Sequence, residues 1–303
     1  MTFTQNKRIG IIGLGMLGSS IAERILDKGL IINIYNRNQS KLKKLETKGA
    51  KAYYTPCSLA DESDFIITCV SDFESLKDIF FEKQGVIDSN NNDLIIADCT
   101  TISADQSFYC SEILKEKKGI TLLSAPVMGG PRDAENGELI AMISGNKAAF
   151  ESIQNIFSTI SKHIFYLGEK NGIANSLKLA LNLNIAVIYL ALSEGAILSM
   201  HSGIDQRTYI EILNLSKLKT GISENKGKNI INNDFTPSFY LKHMLKDLDL
   251  VMETSNSLKI SLPITKESQK LFSEANNRSE FKNKDYSAIF QLLNELNKPK
   301  FKE

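Results

Sequence analysis

The stretch that decides the fold is Lys7-Arg-Ile-Gly-Ile-Ile-Gly13-Leu14-Gly15-Met16-Leu17-Gly18, near the start of a chain of 303 residues. Its first half is a short apolar run of the kind that forms a buried strand, and residues 17–28 have the apolar spacing of an amphipathic helix. The three glycines suit a tight turn, a close backbone approach to a phosphate and close packing of helix on strand. A merely structural glycine turn is the alternative, but the flanking strand and helix favour a dinucleotide site that opens a βαβ unit.

Short apolar segments alternate with helical patterns over roughly the first 165 residues. Apolar runs bounded by polar residues are typical of strands that are buried on both faces. Further strands are expected at residues 31–35, 64–70, 93–99, 121–125 and 140–144. This alternation predicts an α/β fold with a doubly wound parallel sheet, which is a Rossmann domain, over residues 1–168.

The pattern changes after residue 168. Residues 171–201 form one long helical pattern. Shorter helical patterns follow at 205–215, 239–255, 264–276 and 286–297, without a convincing strand. The sequence therefore predicts an all-helical domain over residues 169–303, joined to the first domain by the long helix.

Charge and composition exclude several classes of partner. Lysine and arginine number 36 against 35 for aspartate and glutamate, so the formal charge of +1 gives no electrostatic basis for binding nucleic acid or an anionic membrane. The longest apolar run, 185–200, contains Glu194 and is expected to be too short to span a bilayer. The partners expected are small molecules and further copies of the chain.

The cysteines and histidines indicate neither a metal site nor disulfides. Cys57, Cys69, Cys99 and Cys110 show no ligand spacing, and the three histidines lie far apart in the sequence. Isolated cysteines in a long chain are typical of reduced packing residues. Because residues 1–7 run directly into a strand pattern without a signal peptide, we expect a cytoplasmic protein.

The end of the second predicted strand bears on which dinucleotide binds. Sites that prefer NAD usually place Asp or Glu there, where the carboxylate binds the ribose 2′-hydroxyl. This chain has Asn36 and Arg37 instead, followed by Ser40 and Lys41. A guanidinium group suits a 2′-phosphate, and the hydroxyl and second charge would add to it. The sequence favours NADP(H) over NAD(H), with a solvated loop arginine as the alternative.

A polar stripe runs along the long apolar helix. Asn171, Asn175, Lys178 and Asn182 are spaced by four, three and four residues, which puts them on one face. Burial of an ammonium group is costly and lowers its pKa toward the range in which it exchanges protons. The stripe is consistent with a catalytic lysine, or with a solvent-facing row whose lysine lays its apolar stem along the surface.

Four motifs in sequence order resemble the β-hydroxyacid dehydrogenase family, which includes 3-hydroxyisobutyrate dehydrogenases, tartronate semialdehyde reductases and glyoxylate/succinic semialdehyde reductases. They are the glycine turn, Asp98-Cys-Thr100-Thr101-Ile-Ser103, Ser124-Ala-Pro-Val-Met128-Gly129-Gly130 with Ala134-Glu-Asn-Gly137, and Gly172 to Lys178-Leu-Ala-Leu-Asn182. A later Lys246-Asp247-Leu matches as well. The family fold implied is a Rossmann domain, a long interdomain helix and a helical domain, which agrees with the patterns above.

The resemblance implies roles for the matched residues. Lys178 is the expected general acid and base, which exchanges a proton with the substrate oxygen while a hydride moves to or from the nicotinamide. Asn182, one turn along, is expected to bind the substrate oxygens or to hold the lysine. The other contacts expected are Thr100 and Thr101 beside the nicotinamide, Thr100 and Met128 in the substrate pocket, the N–H groups of Gly129 and Gly130 on a substrate carboxylate, and Lys246 near the nicotinamide ribose and the substrate.

Departures from the family pattern leave the substrate open. The family usually has Ser where this chain has Met128, an acidic residue where it has Ser124, and Ser where it has Thr100. Because Met128 removes a polar anchor, the pocket either prefers a more apolar or longer acid or relies more on Gly129 and Gly130.

The interpretation that the resemblance favours is an NADP(H)-dependent oxidoreductase acting on a small 3-hydroxy acid, semialdehyde or 2-oxo acid, as a homodimer or homotetramer. An imine reductase-like enzyme and a non-catalytic NADP-binding oligomeric module are the alternatives. Both classes tend to lack the lysine, so the pairing of Lys178 with Asn182 argues against them. A 6-phosphogluconate dehydrogenase is disfavoured, since its helical region is much longer.

Overall fold

The computed structural model describes residues 7–297. The chain divides into two compact units, of which the first ends at Lys178 and the second begins at Leu179. Residues 1–6, on which part of the expectation about a signal peptide rests, lie outside the described residues.

The first unit is built on a parallel sheet, as the sequence predicts. Within residues 7–297 the sheet has six strands in the order β3-β2-β1-β4-β5-β6. The strands are β1 (Ile9–Ile12), β2 (Ile32–Tyr35), β3 (Lys51–Ala52), β4 (Phe65–Thr68), β5 (Ile95–Asp98) and β6 (Thr121–Ser124). β1 is central, with Ile9 opposite both Ile32 and Phe65. The order reverses direction at β1, which is the doubly wound Rossmann topology.

Helices cover both faces of this sheet. They are α1 (Met16–Asp27), α2 (Leu42–Glu46), α3 (Pro56–Asp61), α4 (Phe73–Phe81), α5 (Ala104–Lys118), α6 (Pro131–Asn136) and α7 (Lys147–Ile160). Successive strand residues alternate between two cores: Ile11 packs in one hydrophobic cluster and Ile12 in the other. Burial on both faces explains why these strands read as continuous apolar runs.

A second, smaller sheet follows in the first unit. It contains β7 (Val127–Met128), β8 (Leu139–Ile143) and β9 (Ser161–Tyr166), with β7 antiparallel and β9 parallel to β8. The strand expected at 140–144 is present, but it belongs to this sheet. β9 escapes sequence analysis because its first three residues, Ser161, Lys162 and His163, are polar, which leaves too short an apolar run to indicate a strand.

The described part of the second unit is helical, as predicted. α8 (Ile173–His201) runs into it from the first unit, and α9 (Gln206–Leu215), α10 (Gly221–Asn232), α11 (Leu241–Ser257), α12 (Pro263–Asn276) and α13 (Ile289–Leu296) follow. α10 was not expected, because its sequence is polar and contains two glycines. Gly227 is needed there, since a Cβ atom would come within 2.8 Å of the Ile210 side chain.

The length of α8 corrects the expectation about its apolar run. The helix has 29 residues, and an 18-residue window within it has a mean hydropathy of 1.7, so the helix is long and apolar enough to cross a membrane. In the protein, 39% of that 18-residue window is buried. Core helices of globular proteins share this length and composition, so α8 is weak evidence for a membrane.

The residues at and just before the start of α8 form hydrogen bonds with strand and loop residues of the first unit. The first unit therefore extends beyond residue 168. The Gly172 N–H donates to the Ser124 hydroxyl at 2.8 Å, and the Ala174 N–H donates to the Ser144 hydroxyl at 3.2 Å. The Asn171 amide accepts from Ser124 and donates to the Leu122 carbonyl. Ser124, where the family usually has an acidic residue, thus serves to hold the helix.

A buried carboxylate organises the second unit. Asp285 is 0% exposed and accepts hydrogen bonds from the Lys226 ammonium at 2.7 Å and from backbone and hydroxyl groups of Ser238, Phe239 and Ser287. Burial alone would raise the pKa of the Asp285 carboxyl, but Lys226 and these donors lower it below its ordinary value. The pair therefore contributes to folding as an ionised unit.

The Asp285→Asn replacement is expected to lower the free energy of unfolding by about 3 kcal/mol at neutral pH, because it leaves the buried Lys226 charge unpaired. Wild-type stabilisation from Asp285 is complete above the unfolded pKa of about 3.9 and is lost as the pH falls through the lower folded pKa. Urea unfolding at several pH values measures both effects. The double variant Asp285→Asn/Lys226→Met should recover part of the lost stability, because it no longer buries an unpaired charge. Equal stability of Asp285→Asn and the wild type at neutral pH would contradict a stabilising role of the Asp285–Lys226 ion pair.

Candidate active site

The glycine turn between β1 and α1 has the geometry of a phosphate cradle. A Cβ atom on Gly13, whose φ is 97°, would collide with the Cys69 carbonyl, and one on Gly18 would collide with the Gly13 carbonyl. Gly15 instead faces open space, with none of the described residues within 4 Å of a Cβ built there. α1 starts after Gly15 without a side-chain cap or an acidic residue in its first turn. Its N–H groups and dipole therefore fit a pyrophosphate.

The segment after β2 supports this turn. The Asn36 side chain accepts from the Leu14 N–H at 2.8 Å and donates to the Asn38 carbonyl. The Ser40 hydroxyl donates to the Asn38 side chain at 2.8 Å. Asn36 and Ser40 thus shape the loop, whereas the Arg37 side chain is 84% exposed and lies 4.0 Å from an Asp78 oxygen. Arg37 and Lys41 are thus the exposed cations of this loop.

The carboxyl ends of β4 and β5 are tied together by a buried carboxylate. Asp98 accepts from the Thr68 hydroxyl at 2.7 Å and from the Thr100 N–H at 3.0 Å. The Thr100 hydroxyl in turn accepts from the Val70 N–H at 3.2 Å. Thr100 is therefore buried and fixes the strand ends, while Thr101 beside it is partly exposed. The expected contacts of both threonines with a cofactor stay predictions.

Lys178, the last residue of the first unit, lies against β7. Its ammonium group is 3.3 Å from the Met128 sulfur, and its side chain is partly buried. Burial raises the pKa of the Cys69 thiol to about 12, with Asp98 adding to the rise and the Gly18 N–H and Lys178 opposing it. The pKa of this thiol, which packs beside Gly18, thus responds to the charge of Lys178.

One of the two N–H groups expected to bind a substrate carboxylate at Gly129 and Gly130 already has a partner, and the site itself stays a prediction. Gly129 has a φ of 121°, but the Gly130 N–H already donates to the Asp133 carboxylate at 2.6 Å. Asp133 does so as the third residue of α6, which Gly130 caps. A substrate carboxylate at Gly130 would have to displace Asp133 and face its charge.

Asn182 and Lys246 meet at a carboxylate in the second unit. The buried Asn182 amide donates to Asp247 at 2.7 Å, and the Lys246 ammonium forms an ion pair with the other Asp247 oxygen at 3.0 Å. Asp247 was not among the predicted site residues. The available signal was its position directly after Lys246 in a family motif. The expected contacts of Asn182 and Lys246 with ligands stay predictions.

Within residues 7–297, no group of three or more histidine, cysteine or carboxylate side chains is placed to hold a metal ion. The four cysteines are free.

Two family models match this chain. Residues 8–168 match the NAD-binding domain of 6-phosphogluconate dehydrogenase. Residues 172–293 match the model for the NAD-binding of NADP-dependent 3-hydroxyisobutyrate dehydrogenase. One model thus covers the predicted Rossmann domain, and the other covers most of the predicted helical domain.

Some proteins that are similar to this chain are named as nuclear factors, and others are named as reductases or dehydrogenases. The cytokine-like nuclear factor N-PAC of Anopheles gambiae is 31% identical over 93% of this chain and 50% of that protein. Glyoxylate/succinic semialdehyde reductase 1 of Arabidopsis thaliana is 28% identical over 94% of this chain and 98% of that protein. This chain therefore spans about half the length of the N-PAC relatives.

A solved structure of 3-hydroxyisobutyrate dehydrogenase from Salmonella typhimurium shares the fold. Its TM-score is 0.87 at 24% sequence identity, and the match covers 95% of this chain and 100% of that one. Since the two family models account for nearly all of residues 8–293, this chain belongs to the β-hydroxyacid dehydrogenase family of NAD(P)-dependent oxidoreductases.

Proposed function

We propose that this protein is an NADP(H)-dependent oxidoreductase that interconverts a small hydroxy acid and its carbonyl form. The observation that carries the proposal is the partly buried ammonium group of Lys178, 3.3 Å from the sulfur of Met128, which directly precedes Gly129 and Gly130. Candidate substrates are of the 3-hydroxyisobutyrate, succinic semialdehyde or glyoxylate type, which the names of the Arabidopsis and Salmonella relatives support.

When bound, the nicotinamide supplies a hydride to the carbonyl carbon or accepts one from the carbinol carbon. Lys178 donates a proton to the carbonyl oxygen in the reduction and removes the hydroxyl proton in the oxidation. Asn182, one turn further along α8, donates one side-chain N–H to Asp247, and its carbonyl oxygen has no partner among residues 7–297. That oxygen would accept a hydrogen bond from the substrate hydroxyl or from the lysine.

The Lys178→Ala replacement is expected to lower kcat by at least about 100-fold, because the proton transfer loses its acid and base. Its affinity for NADPH should be close to that of the wild type. The assay follows NADPH absorbance with glyoxylate, succinic semialdehyde, methylmalonate semialdehyde, 6-phosphogluconate and a cyclic imine. Lys147→Ala, which removes an exposed lysine of the same unit, is the control.

A wild-type rate in Lys178→Ala would remove the lysine from the mechanism. If the wild-type protein binds NADPH but turns over none of the substrates, the non-catalytic module is favoured; the resemblance to N-PAC keeps that alternative in view. Turnover of the cyclic imine alone would favour an imine reductase.

We propose Arg37 as the residue that selects NADP(H). Arg37→Ala should weaken NADPH binding about tenfold, the ~1.4 kcal/mol of a charge-assisted contact, and leave NADH binding unchanged. Titration of the two cofactors by fluorescence or calorimetry measures this. Arg207→Ala, an exposed arginine of the second unit, is the control. Unchanged NADPH affinity would make Arg37 a solvated loop residue.

Asp133 should oppose a substrate carboxylate near Gly130. Asp133→Asn keeps an acceptor for the Gly130 N–H but removes the charge, so the KM for a carboxylate substrate is expected to fall about fivefold, corresponding to ~1 kcal/mol. Glu138→Gln removes an exposed carboxylate close by in sequence and should leave KM unchanged. If Asp133→Asn also leaves KM unchanged, the substrate carboxylate binds elsewhere.

We also propose a homodimer or homotetramer assembled through the helical unit. Support comes from large apolar side chains that this unit exposes, among them Leu198, Ile212 and Leu215.

A cytoplasmic location is proposed on the basis of the four free cysteines.

A further inference from the structure

Asn175 in α8 is a buried amide that the proposed mechanism does not use. It is 1% exposed, and neither its nitrogen nor its oxygen has a hydrogen-bond partner among residues 7–297. A buried polar group without partners costs free energy, so native proteins rarely keep one without a ligand or another reason. An amide with both ends unpartnered is therefore a candidate ligand-binding group.

The other asparagines of the polar stripe have hydrogen-bond partners. Asn171, which precedes α8, uses its oxygen for Ser124 and its nitrogen for the Leu122 carbonyl. Asn182 donates to Asp247, although its oxygen has no partner among residues 7–297. Asn175 and Lys178 are three residues apart in α8 and therefore lie on the same face of the helix.

The packing at the start of α8 places Asn175 near the cofactor end of the sheet. A Cβ atom on Gly172 would come within 2.6 Å of the Ala104 carbonyl, at the start of α5 and just after the Thr100–Thr101 loop. Three residues beyond Asn175, the Lys178 ammonium group is 3.3 Å from the Met128 sulfur of β7. Asn175 thus lies on the stretch of helix between the contact with Ala104 and the contact with Met128.

An asparagine side chain presents a donor and an acceptor side by side, and another carboxamide satisfies both at once. A carboxylate offers acceptors alone and would leave the Asn175 oxygen unmatched. We propose that Asn175 pairs with the carboxamide of the nicotinamide ring when the cofactor binds. This inference rests on the proposed NADP(H)-dependent function.

The Asn175→Leu replacement tests the pairing, since leucine is similar in size and has no polar atoms. NADPH binding should weaken about tenfold, whereas 2′-phospho-ADP-ribose, which lacks the nicotinamide, should bind as tightly as to the wild type. The melting temperature of the ligand-free protein should be unchanged or higher, because an unsatisfied buried amide has been removed. Asn184→Leu, an exposed asparagine of α8, is the matched control.

A measurement on the wild type does not depend on the folding of a variant. The nicotinic acid analogue of NADP, which carries a carboxylate in place of the carboxamide, should bind about tenfold more weakly than NADP. Asn175→Leu should remove this discrimination.

Equal affinity of the wild type for the two cofactors would overturn the inference, and so would wild-type NADPH affinity in Asn175→Leu. A parallel loss for NADPH and 2′-phospho-ADP-ribose would overturn it as well, because the damage would then be general. If the wild type binds no NADPH at all, it is the proposed function that fails.

Discussion

The contact between Gly18 of α1 and the carbonyl of Gly13 is the constraint on which the candidate site depends. A side chain at position 18 would push the helix away from the sheet. With the helix held this close, its first N–H groups open onto the space beside Gly15. The same approach places Gly18 beside the Cys69 side chain at the end of β4. One packing constraint therefore sets the anion-binding end of the helix and its position against the neighbouring strand.

Asn175 differs from the buried carboxylates of this chain in how its polar atoms are used. Asp98 accepts hydrogen bonds from Thr68 and Thr100, and Asp285 accepts them from Lys226 and surrounding donors, because a buried unpaired carboxylate is very costly. Other buried side chains among the described residues also have a polar atom without a partner, such as the oxygen of Asn182. Among them, Asn175 is the amide in which both the nitrogen and the oxygen lack one. An amide with both ends unsatisfied points to binding rather than to folding.

Sequence patterns could predict the parts of this fold that depend on local periodicity. The strands around β1 were readable because burial on both faces makes them continuously apolar, and α8 because its apolar spacing extends over many turns. α10 and β9 were not, since polar or exposed residues interrupt their patterns. In the candidate site, too, some features follow from a local sequence motif and others only from tertiary packing. The glycine turn is a local motif, whereas the unpartnered state of Asn175 and the contact of Lys178 with Met128 arise from tertiary packing.

The Met128 contact bears on the thioether at a position where the family resemblance leads us to expect a hydroxyl. A thioether is a weak hydrogen-bond acceptor, so its contact with the Lys178 ammonium at 3.3 Å holds the lysine less strongly than a hydroxyl in the same place would. In the proposed reaction, the oxygen of a carbonyl substrate is a stronger acceptor than the Met128 sulfur and would replace it at the ammonium group. A thioether also gives a substrate carboxylate no hydrogen-bond donor. The proposed range of acids therefore depends on which other groups bind that carboxylate.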